Sequence, residues 1–140
     1  VVVGKVIGSF SIDKPIERDP RNRVRMRVGE DGREALSHVS LIKSYGGYSH
    51  ISIEIETGRT HQIRVHLSHQ RLPIIGDNLY NPRNIVAKRT SIRLLDCIQN
   101  FTRQALHAST IRFPSINRDD AYEFKAELPQ DMKSLIELMQ

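Results

Sequence analysis

The densest chemistry in the chain lies in Thr57-Gly58-Arg59-Thr60-His61-Gln62-Ile63-Arg64-Val65-His66, where only Gly58, Ile63 and Val65 lack a polar side chain. The segment follows a strand-like run, turns at glycine and opens a helix. A helix start leaves backbone N–H groups without intrahelical partners, so an anion can rest there, and Arg64 falls within one helical turn of His61. The same residues admit a plainer role, in which Thr60 caps the helix while Arg59 and Arg64 satisfy surface carboxylates. Chemistry alone leaves both open.

A second group is Arg21-Asn22-Arg23-Val24-Arg25-Met26-Arg27-Val28, with arginine at every second position. In an extended strand, Arg21, Arg23, Arg25 and Arg27 share one face, and with Lys14 and Arg18 of the preceding loop they form a positive stripe able to neutralise phosphates. The alternative is a solvated edge strand protected from aggregation by charge. Edge protection needs only one or two charges, so the regular spacing favours binding, with nucleic acid as the partner.

Metal and hydrolase chemistry fit poorly. On a helix, His66 lies about 140° from His61, unlike the i, i+4 histidine pair of a zinc helix. Cys97 is the single cysteine and has no Cys-x-x-Cys partner, and the chain holds no Gly-x-Ser-x-Gly elbow. No metal site is expected.

The elements that must position these groups read as follows. Val1 to Ile7 is a β-branched strand broken by Gly4, and residues 13 to 22 form a loop with two prolines. Glu30-Asp31-Gly32 supplies a turn. Ala35 to Ser44 and Tyr48 to Glu56 form a hairpin about Gly46-Gly47, with Ile51, Ile53 and Ile55 on one face. Thr60 to Ser68 is a short helix. Residues 84 to 99 have no clear form. Leu106 to Phe113 and Ala121 to Leu128 are strands joined by a polar segment, Pro114 to Asp120. Met132, Leu135, Ile136 and Met139 make one apolar stripe on a last helix after Pro129. Several strands, a few helices and no βαβ rhythm predict an α+β fold with a largely antiparallel, mixed sheet and flanking short helices.

At 140 residues the chain is one domain, and 21 Lys and Arg against 16 Asp and Glu give a net charge of +5. A hydrophobic content of 39% with 26% charged residues excludes disordered, collagenous and membrane classes. One cysteine excludes a disulfide scaffold and fits a reducing, cytoplasmic setting. The first residues, Val-Val-Val-Gly-Lys-Val, have neither Met nor a leader and read as the interior of a strand, so the chain is expected to be a piece of something longer.

Glu56 to Leu67, followed by Pro73-Ile74-Ile75-Gly76-Asp77-Asn78-Leu79-Tyr80, resembles the signature of the RluA-type pseudouridine synthases. The likeness continues through Asp19-Pro20, the Arg-Met-Arg-Val stretch, Arg103-Gln104-Ala105-Leu106-His107-Ala108 and Leu128-Pro129-Gln130-Asp131-Met132, and is nearest to the RluD branch, which modifies large-subunit ribosomal RNA. Asn81 departs from the glycine usual after the tyrosine, which bears on the local turn only.

The resemblance implies a partial pseudouridine synthase fold, with residues 1–140 as the C-terminal part of the catalytic domain. It implies isomerisation of uridines already in RNA, 23S-type ribosomal RNA as partner, and no cofactor. The aspartate and tyrosine segments on which such enzymes rely have no counterpart here, so the isolated chain is expected to be inactive. Arg64 is the arginine expected to pair with that absent aspartate, while Asp77 is assigned to a turn. Burial beside an apolar base raises a carboxylate's pKa unless a cation opposes it, and a planar guanidinium can grip both oxygens. Arg59 and His61 are expected to face RNA together with Arg21, Arg23, Arg25 and Arg27, and Leu106 to line the uracil pocket at the start of its strand, although an ordinary core leucine serves equally. A strand at Val1 to Ile7 without neighbours would leave an open edge, so self-association is expected. The alternative is a non-catalytic RNA-binding module. No segment approaches the roughly 20 apolar residues that span a bilayer, so no membrane partner is expected.

Overall fold

A computed structural model describes residues 1–115 and 121–140. The central element is a four-stranded sheet in the order β1 (Val2–Val3), β6 (Tyr48–Ile55), β5 (Leu36–Tyr45), β2 (Ser9–Asp13), antiparallel at each pairing. Two two-stranded antiparallel ribbons flank it: β3 (Ile16–Arg18) with β4 (Met26–Val28), and β7 (Thr110–Pro114) with β8 (Ala121–Lys125). Three helices complete the described fold: α1 (Gln62–His69), α2 (Ile92–Gln99) and α3 (Gln130–Glu137). This is the α+β architecture predicted, with every named strand pair antiparallel.

The β5–β6 hairpin forms where Gly46-Gly47 and the alternating isoleucines place it, with Gly46 at φ 66. Among the described residues, two apolar clusters hold the fold. The larger gathers Val1, Val2, Ile12, Val39, Leu67, Ile75, Ile98 and Leu135. The smaller joins Ile16, Ala35, Val65 and Tyr80, with Met26 and Val28 packed against them. Helix α1 enters both, through Leu67 on one side and Val65 on the other. Full burial of a valine such as Val65 stabilises by about 1.5–3 kcal/mol, which fixes the β3–β4 arm against the helix.

Three sequence expectations change. The first strand is confined to Val2–Val3, because Gly4 takes φ 123 and Gly8 φ 66. Its outer side is covered: Val2 bridges Ile74, the Val3 N–H donates to Pro73 O at 2.9 Å and the Ile75 N–H to Val1 O at 3.2 Å. The open edge on which self-association was to depend is therefore occupied by the chain's own 73–75 segment. The strand expected to begin at Leu106 begins at Thr110, since Ala105 N donates to Ile75 O and the Arg103 guanidinium to Leu106 O, committing that backbone elsewhere. Of the polar connector expected at 114–120, residues 116–120 lie outside the described residues.

Candidate functional site

Helix α1 is not capped by Thr60. Its N-cap is His61, in the left-handed region at φ 55, and no side chain caps it. The turn before it is held instead by Gln62, which is 3% exposed. Its Oε1 accepts from Thr57 Oγ1 at 2.7 Å and from the Arg59 N–H at 3.0 Å, while its Nε2 donates to Leu36 O at 2.9 Å and Ser37 Oγ at 3.1 Å. All four hydrogen-bonding capacities of the amide are used, so the 57–62 turn is fastened to strand β5. His66, fully buried, extends the bracket. Its Nε2–H donates to Lys14 O at 2.9 Å, so Nδ1 is the acceptor for the Ser37 hydroxyl at 2.9 Å. Both ring nitrogens are thereby committed to hydrogen bonds. Burial holds His66 below the ordinary histidine value and keeps it neutral, against a smaller opposing effect of the Lys14 carbonyl.

On this frame, Arg64 meets Asp77. Arg64 Nε donates to Asp77 Oδ2 and Nη2 to Oδ1, both at 2.8 Å, with Arg64 15% and Asp77 0% exposed at the side chain. Asp77 Oδ1 also accepts from the Leu79 and Tyr80 N–H groups at 3.2 and 3.1 Å. Gly76 takes φ 73 to deliver this turn, and a Cβ there would stand 2.0 Å from Arg103 O. Burial raises the Asp77 pKa, but the guanidinium and these two N–H groups outweigh it and hold the carboxyl below its usual range. Hydrogen bonding to Asp77 raises the Arg64 pKa further.

Tyr80 completes the cluster. The Arg64 guanidinium carbon lies 4.9 Å from the Tyr80 ring centroid and that of Arg25 5.1 Å. The phenol oxygen accepts from the Met26 N–H at 2.9 Å and lies 3.0 Å from His61 Nδ1, whose ring stands edge-on to it. Burial, then the nearby Arg64 charge, lowers the His61 pKa, Asp77 opposing them; the neutral ring can accept the phenolic proton. A groove of about 330 Å³ runs beside this cluster, lined by Arg25, Met26, Arg27, Ser68, His69 and Tyr80. The arrangement can hold an anion or a carboxylate against a fixed, half-buried guanidinium.

The sequence-predicted residues do not all arrive together. Only residues 26–28 of the arginine run are strand. Arg21 and Arg23 lie in a turn made by Asp19 and Asn22: Asp19 Oδ1 accepts from Arg21 N at 2.9 Å, and Asn22 Oδ1 from Val24 N at 3.2 Å. Local side-chain bonds thus displace the extended backbone on which a shared face depended. Arg25 instead turns to Tyr80, and Arg27 pairs with Glu17 at 2.6 Å. Arg59 donates to Glu34 O at 3.0 Å, beside a groove that also contains Arg18 and Arg33. Leu106 lies outside the strand, half-buried, in an apolar cavity of about 280 Å³ with Val2, Ile53, Leu67, Ile74 and Met132. That cavity shares no lining residue with the Tyr80 groove. Asn81 keeps an ordinary backbone; its Oδ1 accepts from Ile85 N at 2.9 Å and starts the next turn. Among the described residues no three His, Cys, Asp or Glu are grouped to hold a metal ion.

The Gln62 and His66 brackets were not foreseen, because their partners lie on β5 and in the loop before β3. Tyr80 carried a weak signal, as a tyrosine three residues after an aspartate in a turn-rich stretch.

The sequence profile described as RNA pseudouridylate synthase matches residues 3–69, from β1 to the end of α1. Ribosomal large subunit pseudouridine synthase D of Xanthomonas campestris is 38% identical over 136 residues, which are 97% of this chain and 41% of that protein. The chain belongs to the RNA pseudouridylate synthase family. Within it, the chain falls in the RluD branch of the RluA-type group. The Escherichia coli synthase D is 36% identical over 139 residues, covering 99% of this chain and 43% of its own length, and an uncharacterized RNA pseudouridine synthase of Chloroflexus aurantiacus is 41% identical over 140, with 100% and 40% covered. The chain thus spans about two fifths of the length of the curated relatives it matches. Among solved structures, human RNA Pseudouridylate Synthase Domain Containing 4 superposes with a TM-score of 0.70 at 20% identity, over 99% of this chain and 59% of that one, a likeness of fold. The profile match includes Arg64 and the Gln62 bracket; Asp77 and Tyr80 lie beyond it. Among the described residues no helix is long and apolar enough to cross a membrane.

Proposed function

We propose that this chain is the arginine-bearing, C-terminal part of the catalytic domain of an RNA pseudouridine synthase that isomerises specific uridines of large-subunit ribosomal RNA in the cytoplasm. In that reaction the bond from uracil N1 to ribose C1′ breaks, a C5–C1′ bond forms, and the proton leaves C5 while N1 gains one. The attacking aspartate belongs, in this reading, to a part of the synthase outside these residues, and the 140-residue chain alone turns over no uridine.

The observation that carries the reading is the state of Arg64. Its guanidinium is held in one plane by Asp77 and Tyr80, 15% exposed beside a groove lined by arginine, with only its Nε and Nη2 engaged by Asp77. A guanidinium so oriented keeps an incoming carboxylate ionised when a flipped base excludes water. Arg25 and Arg27 line the groove beside Tyr80, Arg59 lines another groove that shares Met26 with it, and His61 touches Tyr80; these serve as RNA contacts, with Arg21 and Arg23 reaching phosphates from the turn before β4. Leu106 is assigned to the uracil pocket in this reading, although its cavity shares no lining residue with the Tyr80 groove. Extracting that base from its stack costs about a few kcal/mol, which phosphate contacts offset. Self-association is no part of the mechanism.

The test is tritium release from RNA labelled at uracil C5, using the full-length synthase that carries this sequence. Arg64→Lys and Arg64→Ala are expected to lose turnover at unchanged RNA affinity. Normal turnover by a folded Arg64→Ala synthase would overturn the reading.

A further inference from the structure

The positive charge of the chain is concentrated. Residues 57–95 carry seven Lys and Arg, at 59, 64, 71, 83, 88, 89 and 93, against one acid, Asp77, a net of +6. The remaining 101 residues carry 14 basic and 15 acidic residues, a net of −1. Asp77 is itself consumed by Arg64.

Elsewhere five of the thirteen described Lys and Arg are paired. Arg27 meets Glu17, Arg103 meets Asp131, Arg112 and Lys125 meet Glu123, and Lys133 meets Glu127. Among the described residues, Arg71, Arg83, Lys88, Arg89 and Arg93 are all exposed and form no ion pair. A run of unpaired cations whose one intervening acid, Asp77, is already taken by Arg64 repels itself in the free protein, and a polyanion removes that cost.

The placement of these cations is fixed. The Ala87 N–H donates to Tyr48 Oη at 3.1 Å, the Thr90 hydroxyl donates to Ala87 O at 2.6 Å, and the Tyr48 hydroxyl donates to Thr90 Oγ1 at 2.6 Å. Lys88 and Arg89 are thereby held on a loop fastened to β6, and Arg93 follows on the first turn of α2, behind its Ser91 cap. A second groove, of about 470 Å³, is lined by Gly47, Arg71, Tyr80, Ile85 and Ala87. Ser68 and Tyr80 line both this groove and the one beside Arg25 and Arg27, so the two meet at the Arg64 cluster.

We propose that Arg71, Lys88, Arg89 and Arg93 form a second phosphate-binding surface, over which an RNA strand seated at Tyr80 continues beyond α1. The inference rests on the synthase reading and extends it. It assigns the RNA backbone to a surface that no sequence motif marked, on the side of Tyr80 away from the β3–β4 arm. Such contacts position the RNA without reading its bases, so their loss acts alike on any sequence.

The test measures binding of a fluorescein-labelled hairpin of large-subunit ribosomal RNA to the 140-residue chain, by anisotropy between about 50 and 200 mM salt. The K88Q/R89Q/R93Q chain is expected to lower the slope of log Kd against log salt by about two, and its affinity deficit at the low-salt end is on the order of tenfold. The charge-retaining K88R/R89K/R93K chain keeps the wild-type slope. Single R71Q, K88Q, R89Q and R93Q chains each lower it by about 0.7, which tests the surface again should the triple variant fold poorly. A wild-type slope in the neutral variants overturns the surface while RNA binding stands. Displacement of the RNA by polyglutamate at matched charge concentration overturns RNA as its partner in favour of an acidic protein. Failure of the synthase reading is seen separately, as unchanged uridine turnover in Arg64 variants.

Discussion

Among the described residues, two bidentate arginine–aspartate pairs have nearly identical geometry in different surroundings. Arg64 and Asp77 meet at 2.8 and 2.8 Å with side chains 15% and 0% exposed; Arg103 and Asp131 meet at 2.8 and 2.7 Å with side chains 40% and 44% exposed. Distance alone does not separate them. Solvent does, because water screens the second pair and hydrates either partner when the other leaves, whereas nothing replaces Arg64 around the Asp77 carboxylate. The buried pair therefore holds one orientation at a structural cost, as expected of a group kept ready for chemistry. The exposed pair, at the first turn of α3, needs no such role.

Breaking the buried pair gives the largest effect. Arg64→Ala leaves an unpaired buried carboxylate and is expected to destabilise the chain by about 3–5 kcal/mol in urea unfolding. The Arg64→Ala/Asp77→Ala double variant is expected to be less destabilised than that single variant, since it removes the stranded charge as well; equal or additive losses would mean the pair is not coupled. Gly76→Ala follows, at about 2–3 kcal/mol, because its φ of 73 and the Arg103 carbonyl both oppose a side chain. It touches the turn before Asp77 and the backbone of Arg103, so it disturbs both pairs together.

A pH dependence sharpens the contrast. His66 is held below its ordinary 6.5, so the fold binds fewer protons there than the unfolded chain, and the His66 contribution to stability is complete above 6.5 and lost as pH drops below it. His50 and His61 are lowered in the same direction. Asp77 adds a second loss only below the ordinary carboxylate value of 3.8. Urea midpoints taken from pH 8 downward should show both falls, and a midpoint unchanged between pH 7 and 5 would contradict the buried neutral His66. The smallest effect belongs to Arg103→Ala, about 0.2–1 kcal/mol and shrinking with added salt.

Local periodicity was a good guide where neighbours along the chain decide the structure. The isoleucine alternation and Gly46-Gly47 gave β5 and β6, and the apolar stripe of Met132, Leu135 and Ile136 gave α3. It failed at residues 21–25, where Asp19 and Asn22 bond the backbone into a turn that arginine spacing does not reveal. Helix α2 falls in residues 84–99, which have no clear form by periodicity, although Ser91 with Leu94 and Ile98 marks it. At the candidate site, Arg64 and the Asp77 turn were legible from the motif. Their union was not, since it depends on a tertiary approach across 13 residues, and the Gln62 and His66 brackets depend on partners farther still.

The central claim is that Arg64, and not merely any well-paired arginine, serves the chemistry. Tritium release by the full-length synthase should be compared for Arg64→Lys and Arg103→Lys, each checked for native unfolding behaviour. The account predicts loss of turnover at position 64 with RNA affinity kept, and wild-type turnover at position 103. Equal turnover in the two folded variants would contradict it.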